Sequence, residues 1–403
     1  MNYQVILPSS GSLEALLQSD RHCAFAPIII EFINDFSNFI LSNGSYQEFP
    51  EIMALAFWLR TSHIKQLAAS YQKSREGKIM LPRGVVFHIS PANVDTIFIY
   101  SWFLSMLVGN ANIIRISNRA NKQLEMILNV LNTILDKNKY KALSQQFLII
   151  KYAHDDQITE YLSSLCNVRV IWGGDDTINK IRSIHLPPFA SEICFANKFS
   201  LAIVKSSQFI NLANKTTLLE KFYNDVYVFF QSACSSPRLI VWVGTPQETK
   251  SASTEFWQIF SDVVKTKNLT IDDAALMEKF VTECSLSIER SAHVVKMESN
   301  IISRVKFSSL HDIELQKHCG NGLFYEVDTD QLSDLAAIIQ THNQTLASYG
   351  FSRDELKSNL LRPGIKGIDR IVDFGKALEF SPVWDGYDLL RKFEREVTLD
   401  ISH

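Results

Sequence analysis

The sequence predicts an α/β protein built on parallel sheets with helices on their faces. Three observations carry that prediction. From residue 83 onward, short apolar runs alternate with longer segments of helical periodicity, as strands and crossover helices do. The chain has 403 residues, 46% hydrophobic and 21% charged, an ordinary globular balance able to fill two or three domains. Cys234 lies in the polar, proline-closed turn Gln231-Ser232-Ala233-Cys234-Ser235-Ser236-Pro237-Arg238, between an amphipathic helix and a continuous apolar run.

In chain order, residues 1–80 read as several helices, among them Pro27–Leu41 and Pro50–Tyr71, and carry no recognisable chemistry. The alternation then runs Gly84–Ile89 (strand), Thr96–Val108 (helix), Asn112–Ile116 (strand), Lys122–Leu135 (helix) and Phe147–Tyr152 (strand). It continues with Gln157–Cys166 (helix), Val168–Trp172 (strand), Asp176–Ser183 (helix) and Leu201–Lys205 (strand), which together make a Rossmann-like unit. Ligands of such sheets sit outside the carboxyl ends of the strands, so the turns Ser90-Pro91-Ala92-Asn93, Ser117-Asn118-Arg119 and Gly173-Gly174-Asp175-Asp176 are expected to face one crevice. A second α/β portion starts near residue 210. It has helix Thr216–Phe230, the Cys234 turn, strand Leu239–Val243, helices Ser251–Thr266 and Asp272–Cys284, and strands Ala292–Lys296 and Leu323–Val327. The tail is expected to end in a charged amphipathic helix over Tyr387–Val397.

Composition narrows the partners. A net charge of -3 without a dense Lys/Arg cluster argues against nucleic acid and for a small molecule. Six cysteines without CxxC spacing point to neither a disulfide framework nor a zinc site, and to a reducing, cytoplasmic setting. No metal site is expected. Met1-Asn2-Tyr3-Gln4 does not open a signal peptide, and the apolar stretch Ile97–Val108 is shorter than the roughly 20 residues that span a bilayer.

Several residues are placed for chemistry. A cysteine in a Ser-rich turn at an element boundary is a candidate nucleophile, since backbone amides and hydroxyls stabilise a thiolate there; it also reads as a packed cysteine in an ordinary turn. Asn93 falls at a helix N-terminus, fit either to cap the helix or, with the Cys234 N–H, to donate to a developing oxyanion. Arg115 and Ser117 end the second strand, where an adenosine ribose or its 2′-phosphate lies in nucleotide-binding sheets; a solvated edge arginine is the alternative. Gly173 and Gly174, followed by Asp175 and Thr177, form a glycine turn into a helix, though without the GxGxxG spacing.

Taken together, Pro82 through Val94, Gly109 through Ser117 and Ala233-Cys234-Ser235-Ser236-Pro237 resemble the acyl-CoA reductase (LuxC) family of bacterial bioluminescence, a branch of the aldehyde dehydrogenase superfamily. The resemblance extends to Trp172-Gly173-Gly174-Asp175, Asn343-Gln344-Thr345-Leu346, Tyr349-Gly350-Phe351, Asp369-Arg370-Ile371-Val372, Gly375-Lys376-Ala377-Leu378 and Trp384-Asp385-Gly386-Tyr387-Asp388, covering about residues 80–397. It implies an aldehyde dehydrogenase-like fold with a Rossmann-type nucleotide-binding domain and an α/β catalytic domain. The implied domains are a helical segment over 1–80, a nucleotide-binding domain over 81–208 rejoined by part of 345–403, a catalytic domain over 209–344 carrying Cys234, and a C-terminal segment over 345–403.

The resemblance further implies that Cys234 takes an acyl group from acyl-CoA or an acylated synthetase protein, and that NADPH reduces the thioester to an aldehyde. Asn93 matches the superfamily's oxyanion asparagine, and Arg115 its adenosine-ribose lysine, with Ser117 two positions on. Ser90, Pro91, Gly173, Gly174, Asp175 and Thr177 surround the cofactor in this alignment, and a homo-oligomer, complexed with an acyl-activating synthetase, is expected. Hydrolytic relatives carry a base glutamate where this chain has Cys194, which favours a thioester that awaits reduction; a shifted alignment would bring Glu192 there instead. The chain is shorter than relatives from luciferase systems, chiefly ahead of the sheet, leaving the acyl chain length open. Two other readings stand beside this one: an acyltransferase or thioesterase using Cys234 without hydride transfer, and a non-catalytic scaffold subunit of an acid reductase complex.

Overall fold

A computed structural model describes residues 3–91, 96–118, 122–289, 292–313 and 315–401. The chain divides into two units, Met1–Asn197 with Phe380–His403, and Lys198–Glu379.

The first unit opens with β1 (Gln4–Leu7), α1 (Leu13–Gln18), α2 (Pro27–Leu41), α3 (Pro50–Trp58), α4 (Thr61–Ser74) and β2 (Ile79–Pro82). Pro27 starts α2 at a position where its missing N–H costs nothing, and Ile29, Phe32, Ile33, Phe36 and Ile40 bury one face of it. The single helix expected over Pro50–Tyr71 is two, because Arg60 is extended and interrupts the helical ladder between α3 and α4.

The strand-helix alternation follows as β3 (Val85–Ile89), α5 (Ile97–Leu107), β4 (Ala111–Arg115), α6 (Lys122–Leu135), β5 (Phe147–Lys151), α7 (Asp156–Leu165), β6 (Val168–Trp172), α8 (Asp175–Arg182) and β7 (Ser191–Phe195). Its sheet runs β1-β5-β4-β3-β6-β7, parallel except for the edge strand β1. β3 is buried at every residue and α5 all round, which is why both read as unbroken apolar runs. The chain builds β3, β4 and β5 toward one edge, then crosses back to lay β6 and β7 on the other side of β3. The topological switch therefore lies between β3 and β6, where such sheets take ligands.

The second unit contains β8 (Phe199–Lys205), α9 (Ser206–Ile210), α10 (Lys215–Tyr227), β9 (Pro237–Val243), α11 (Pro246–Lys265), α12 (Asp273–Glu289), β10 (Ala292–Val295), β11 (Ser303–Phe307), β12 (Leu323–Thr329), β13 (Asn343–Tyr349), α13 (Arg353–Leu360) and β14 (Arg370–Asp373). Its sheet has the order β10-β11-β12-β9-β8-β13-β14, and only β10 is antiparallel. The strand expected at Leu201–Lys205 is thus not an extension of the first sheet. It is β8, paired with β9 and β13, and β7 closes the first sheet instead; strand-helix alternation sets the order of elements but not which sheet each one joins.

The tail returns to the first unit as β15 (Val383–Trp384), β16 (Tyr387–Asp388), α14 (Leu389–Lys392) and β17 (Glu394–Val397). The helix expected over Tyr387–Val397 is replaced by one helical turn and a strand, because Glu394–Val397 pairs with β2 and Glu394 is buried against Tyr71 of α4 and Arg75 just after it.

His88, on β3, is fully enclosed, its ring nitrogens meeting Ser101 Oγ at 2.8 Å and Asn112 Oδ1 at 3.0 Å. Burial lowers its pKa to about 4. The unfolded chain therefore binds the extra proton between pH 6.5 and about 4, and folding stability falls as pH drops through that window, by up to about 3 kcal/mol for this one group. His88→Gln should flatten that part of the unfolding free energy measured against pH by urea titration.

Candidate active site

At the carboxyl edge of the first sheet, Ile89 of β3 is level with Arg115 of β4 and Ile171 of β6, so the turns that follow these strands emerge side by side. Ser90 directs both its N–H (3.2 Å) and its hydroxyl (2.6 Å) to the carbonyl of Arg115, tying the end of β3 to β4. Pro91 follows it, half-buried. Arg115 is half-buried with its guanidinium 5.4 Å from the Tyr152 ring centroid, and no carboxylate among the described residues pairs with it. Burial lowers its pKa, the charge of Tyr152 opposes this, and guanidinium stays charged regardless. Ser117 is buried two residues on. Asn93 lies outside the described residues.

Across the switch, β6 ends at Trp172, whose ring stacks on Phe195 of β7 with centroids 3.6 Å apart. Gly174 caps α8, while Asp175 and Asp176 occupy its first turn. Asp175 Oδ1 accepts the Asn197 N–H at 3.1 Å. Gly173 packs against Thr177, where an added Cβ would meet the Thr177 side chain at 3.4 Å. Two carboxylates at this helix start repel phosphate and accept from hydroxyls, so the turn suits a ribose better than a pyrophosphate.

β7 carries both Glu192 and Cys194. Arg169, fully buried, grips Glu192 through Nε (2.7 Å) and Nη2, and Arg182 Nε adds a third contact at 3.1 Å. A carboxylate held by two guanidiniums is poorly placed to activate water. Burial and the nearby Glu192 charge push the Cys194 thiol up to about 11.

Cys234 belongs to the second unit, at the amino edge of its sheet. After α10 the chain reverses through Phe230 (φ 46°) and Gln231 (φ 61°), two successive non-glycine residues in the left-handed region. Gln231 is fully buried and holds that reversal in place. Its Nε2 donates to the carbonyls of Pro237 (3.0 Å) and Leu323 (2.9 Å), and its Oε1 accepts the Gly322 N–H (2.9 Å). The turn closes with the Ser236 N–H on the Ala233 carbonyl at 3.0 Å. Ser200 Oγ on β8 donates to the Cys234 carbonyl (2.6 Å) and accepts the Thr345 N–H (3.1 Å), fixing the backbone at Cys234 from two strands. Cys234 itself is half-buried, and the buried Ser236 hydroxyl beside it has no partner among the described residues.

Arg238, unassigned from the sequence, is the main charge near this turn. Its Nε (3.1 Å) and Nη2 (2.8 Å) donate to the Gln231 carbonyl, and no carboxylate among the described residues neutralises it. Burial lowers its pKa, opposed by attraction to Cys234, Cys319 and Tyr325. A largely buried guanidinium without a counter-charge favours a thiolate next to it. His318 is the histidine of this edge, but it is not a base for Cys234: Nε2 lies 2.9 Å from the Leu323 carbonyl and Nδ1 accepts the Gly320 N–H at 3.0 Å. Burial, together with Arg238, drives its pKa well down, so it stays neutral. Position in the Cys-Ser-Ser-Pro-Arg run was the one signal for Arg238; burial, which makes it matter, is not in the sequence. Among the described residues, no group of His, Cys, Asp and Glu side chains gathers to hold a metal, and no helix is long and apolar enough to cross a membrane.

These two sheets make an aldehyde dehydrogenase-like fold. A benzaldehyde dehydrogenase from Corynebacterium glutamicum superposes with a TM-score of 0.63 at 12% identity, covering 95% of this chain and 86% of that one. Aldehyde dehydrogenase 21 from Physcomitrella patens gives 0.66 at 8% identity, again covering 95% of this chain and 86% of that one. Within that class, the chain belongs to the acyl-CoA reductase (LuxC) family, whose model matches residues 59–396. It is similar to a long-chain acyl-protein thioester reductase of Vibrio harveyi, 24% identical over 80% of this chain and 64% of that protein. A second such reductase, from Photobacterium leiognathi, is 25% identical over 41% of this chain and 33% of its own length. The chain thus spans less than two thirds of either curated relative.

Two substitutions separate the scaffold of the turn from its electrostatics. Gln231→Leu strands the Gly322 N–H and two carbonyls in a buried site, and should cost about 3 kcal/mol or more in urea unfolding. Arg238→Met should slow iodoacetamide labelling of the Cys234 peptide at pH 7 by about tenfold and move its pH profile up by about one unit. Arg238→Lys should restore most of the rate; an unchanged profile in Arg238→Met removes the guanidinium from the account.

Proposed function

We propose that this protein reduces an acyl thioester to an aldehyde, with Cys234 as the acyl-carrying nucleophile. The observation that carries the reading is the turn built by Gln231 and Ser200, which holds Cys234 beside the uncompensated Arg238 guanidinium in a chain of the LuxC family. The thiolate attacks the carbonyl carbon of an acyl-CoA or acylated protein; the new Sγ–acyl bond forms as the donor C–S bond breaks, and the donor thiolate leaves. The Cys234 N–H and the Asn93 amide are the proposed donors to the oxyanion that develops in this exchange. With Glu192 bound to Arg169 and Arg182, and Cys194 kept protonated by burial, neither is a base that would hydrolyse the acyl-enzyme.

The cofactor assignment rests on the switch-point edge of the first sheet. Arg115 offers a cation free of carboxylate partners among the described residues, and Asp175 lies at the glycine turn across the switch, a combination that fits the sugar-phosphate part of a dinucleotide. Ser90, Pro91, Ser117, Gly173, Gly174 and Thr177 would complete that surface. A reduced nicotinamide dinucleotide, when bound, supplies the hydride that frees the acyl group as an aldehyde. NADPH is proposed over NADH because guanidinium pairs bidentately with a 2′-phosphate.

With a panel of acyl-CoAs, nucleotide absorbance should fall in step with thioester consumed, one for one. Thioester turnover without nucleotide loss would mark an acyltransferase or thioesterase. Arg115→Ala should raise KM for NADPH by about tenfold, the worth of one charge-assisted contact, while leaving KM for NADH within twofold. Equal effects on both would remove Arg115 from the 2′-phosphate.

A further inference from the structure

α12 carries an apolar face with nothing on it. Met277, Phe280, Val281, Cys284 and Ile288 recur at helical spacing and fall within about 100° of the helix circumference. The four large ones are exposed at 62%, 61%, 57% and 84%. The opposite face is the one the fold uses. Lys279 is buried there, donating to the carbonyls of Asn300 and Ile301, and Leu286 is enclosed in the core. A helix that is apolar on both sides is one that gets covered on both sides.

Charge narrows what covers it. Among the described side chains from Asp272 to Ile288, the acidic ones are Asp272, Asp273, Glu278 and Glu283, against one cation, Lys279, which is turned inward. Glu278 flanks the stripe on one side and Glu283 on the other. An acidic border opposes an anionic bilayer and the phosphates of free CoA, and it opposes the same helix of a second copy. It matches a protein whose apolar groove is rimmed by Lys and Arg.

The position of the helix says why such a protein would dock. Thr282, on the buried side of α12, lies beside the Cys319 thiol. Cys319 opens the loop whose Asn321 N–H meets the Phe230 carbonyl at 2.9 Å and whose Gly322 N–H meets Gln231, at the turn that holds Cys234. Arg238 lies near both cysteines. The helix is therefore one layer removed from the nucleophile.

We infer that the exposed face of α12 is the docking surface for a basic-rimmed, acyl-carrying protein that delivers its thioester to Cys234. The inference rests on the reaction proposed above. The probe is the long-chain acyl-protein thioester that the Vibrio harveyi relative is named for, compared with a long-chain acyl-CoA as a donor without a protein. In Phe280→Glu/Ile288→Glu, KM for the acyl-protein should rise by about tenfold or more, as for loss of interface anchors, with kcat and acyl-CoA turnover unchanged. Glu278→Lys/Glu283→Lys should also raise that KM, and added salt should raise it in the wild type while barely affecting the charge-reversed variant. An unchanged KM for the acyl-protein, or an equal loss with acyl-CoA, overturns the surface. So does a change in sedimentation of either variant, which would make the occupant a second copy, or a wild type that uses acyl-CoA and ignores the acyl-protein. Failure of both donors to acylate wild-type Cys234 would instead sink the reaction itself.

Discussion

The candidate nucleophile depends on one buried amide. Gln231 spends both donors and its acceptor on three strand-end groups, and in doing so holds two consecutive residues in a backbone region that L-residues avoid. Without that anchor the chain would relax out of the reversal, and Cys234 would lose its relation to Ser200 and Arg238. The same glutamine's carbonyl aims the guanidinium. A neutral, fully satisfied side chain thus organises a charged site, a cheaper arrangement in a low-dielectric interior than an ion pair would be.

The two sheets use opposite edges. In the first unit, candidate cofactor residues gather at the carboxyl ends of β3, β4 and β6, where the strand order switches. In the second, the nucleophile turn sits at the amino ends of β8, β9, β12 and β13, where Ser200, Leu323 and Thr345 supply partners from neighbouring strands. Both edges are rigid because each central strand is buried on its two faces. The candidate residues thus lie on turns anchored at both ends by buried elements.

Much of this was legible in the sequence because parallel strands covered on both faces must be apolar throughout, and β3, β6 and β9 announce themselves that way. The residues that failed to read correctly share a cause. Phe199–Lys205 has the composition of a central strand in either sheet, and only its hydrogen-bond partners assign it to the second. Tyr387–Val397 carries charges at helical spacing, yet the long-range partner Ile79–Pro82 and the burial of Glu394 make Glu394–Val397 a strand. Cys234 could be singled out by its turn, whereas Arg238, four residues later, could not, since its importance comes from desolvation and the absence of a carboxylate. Glu192 likewise takes its setting from a long-range partner, Arg169, distant by a full helix and turn.

The central claim is that Cys234 forms a thioester that outlasts water and yields to reduction. Intact mass after mixing the protein with long-chain acyl-CoA, first without and then with NADPH, tests it most directly. The account predicts the gain of one acyl group, absent in Cys234→Ala, stable without nucleotide and lost with release of aldehyde once NADPH is added. An acyl adduct that persists in Cys234→Ala, or one that decays to free acid at the same rate with and without nucleotide, would contradict it.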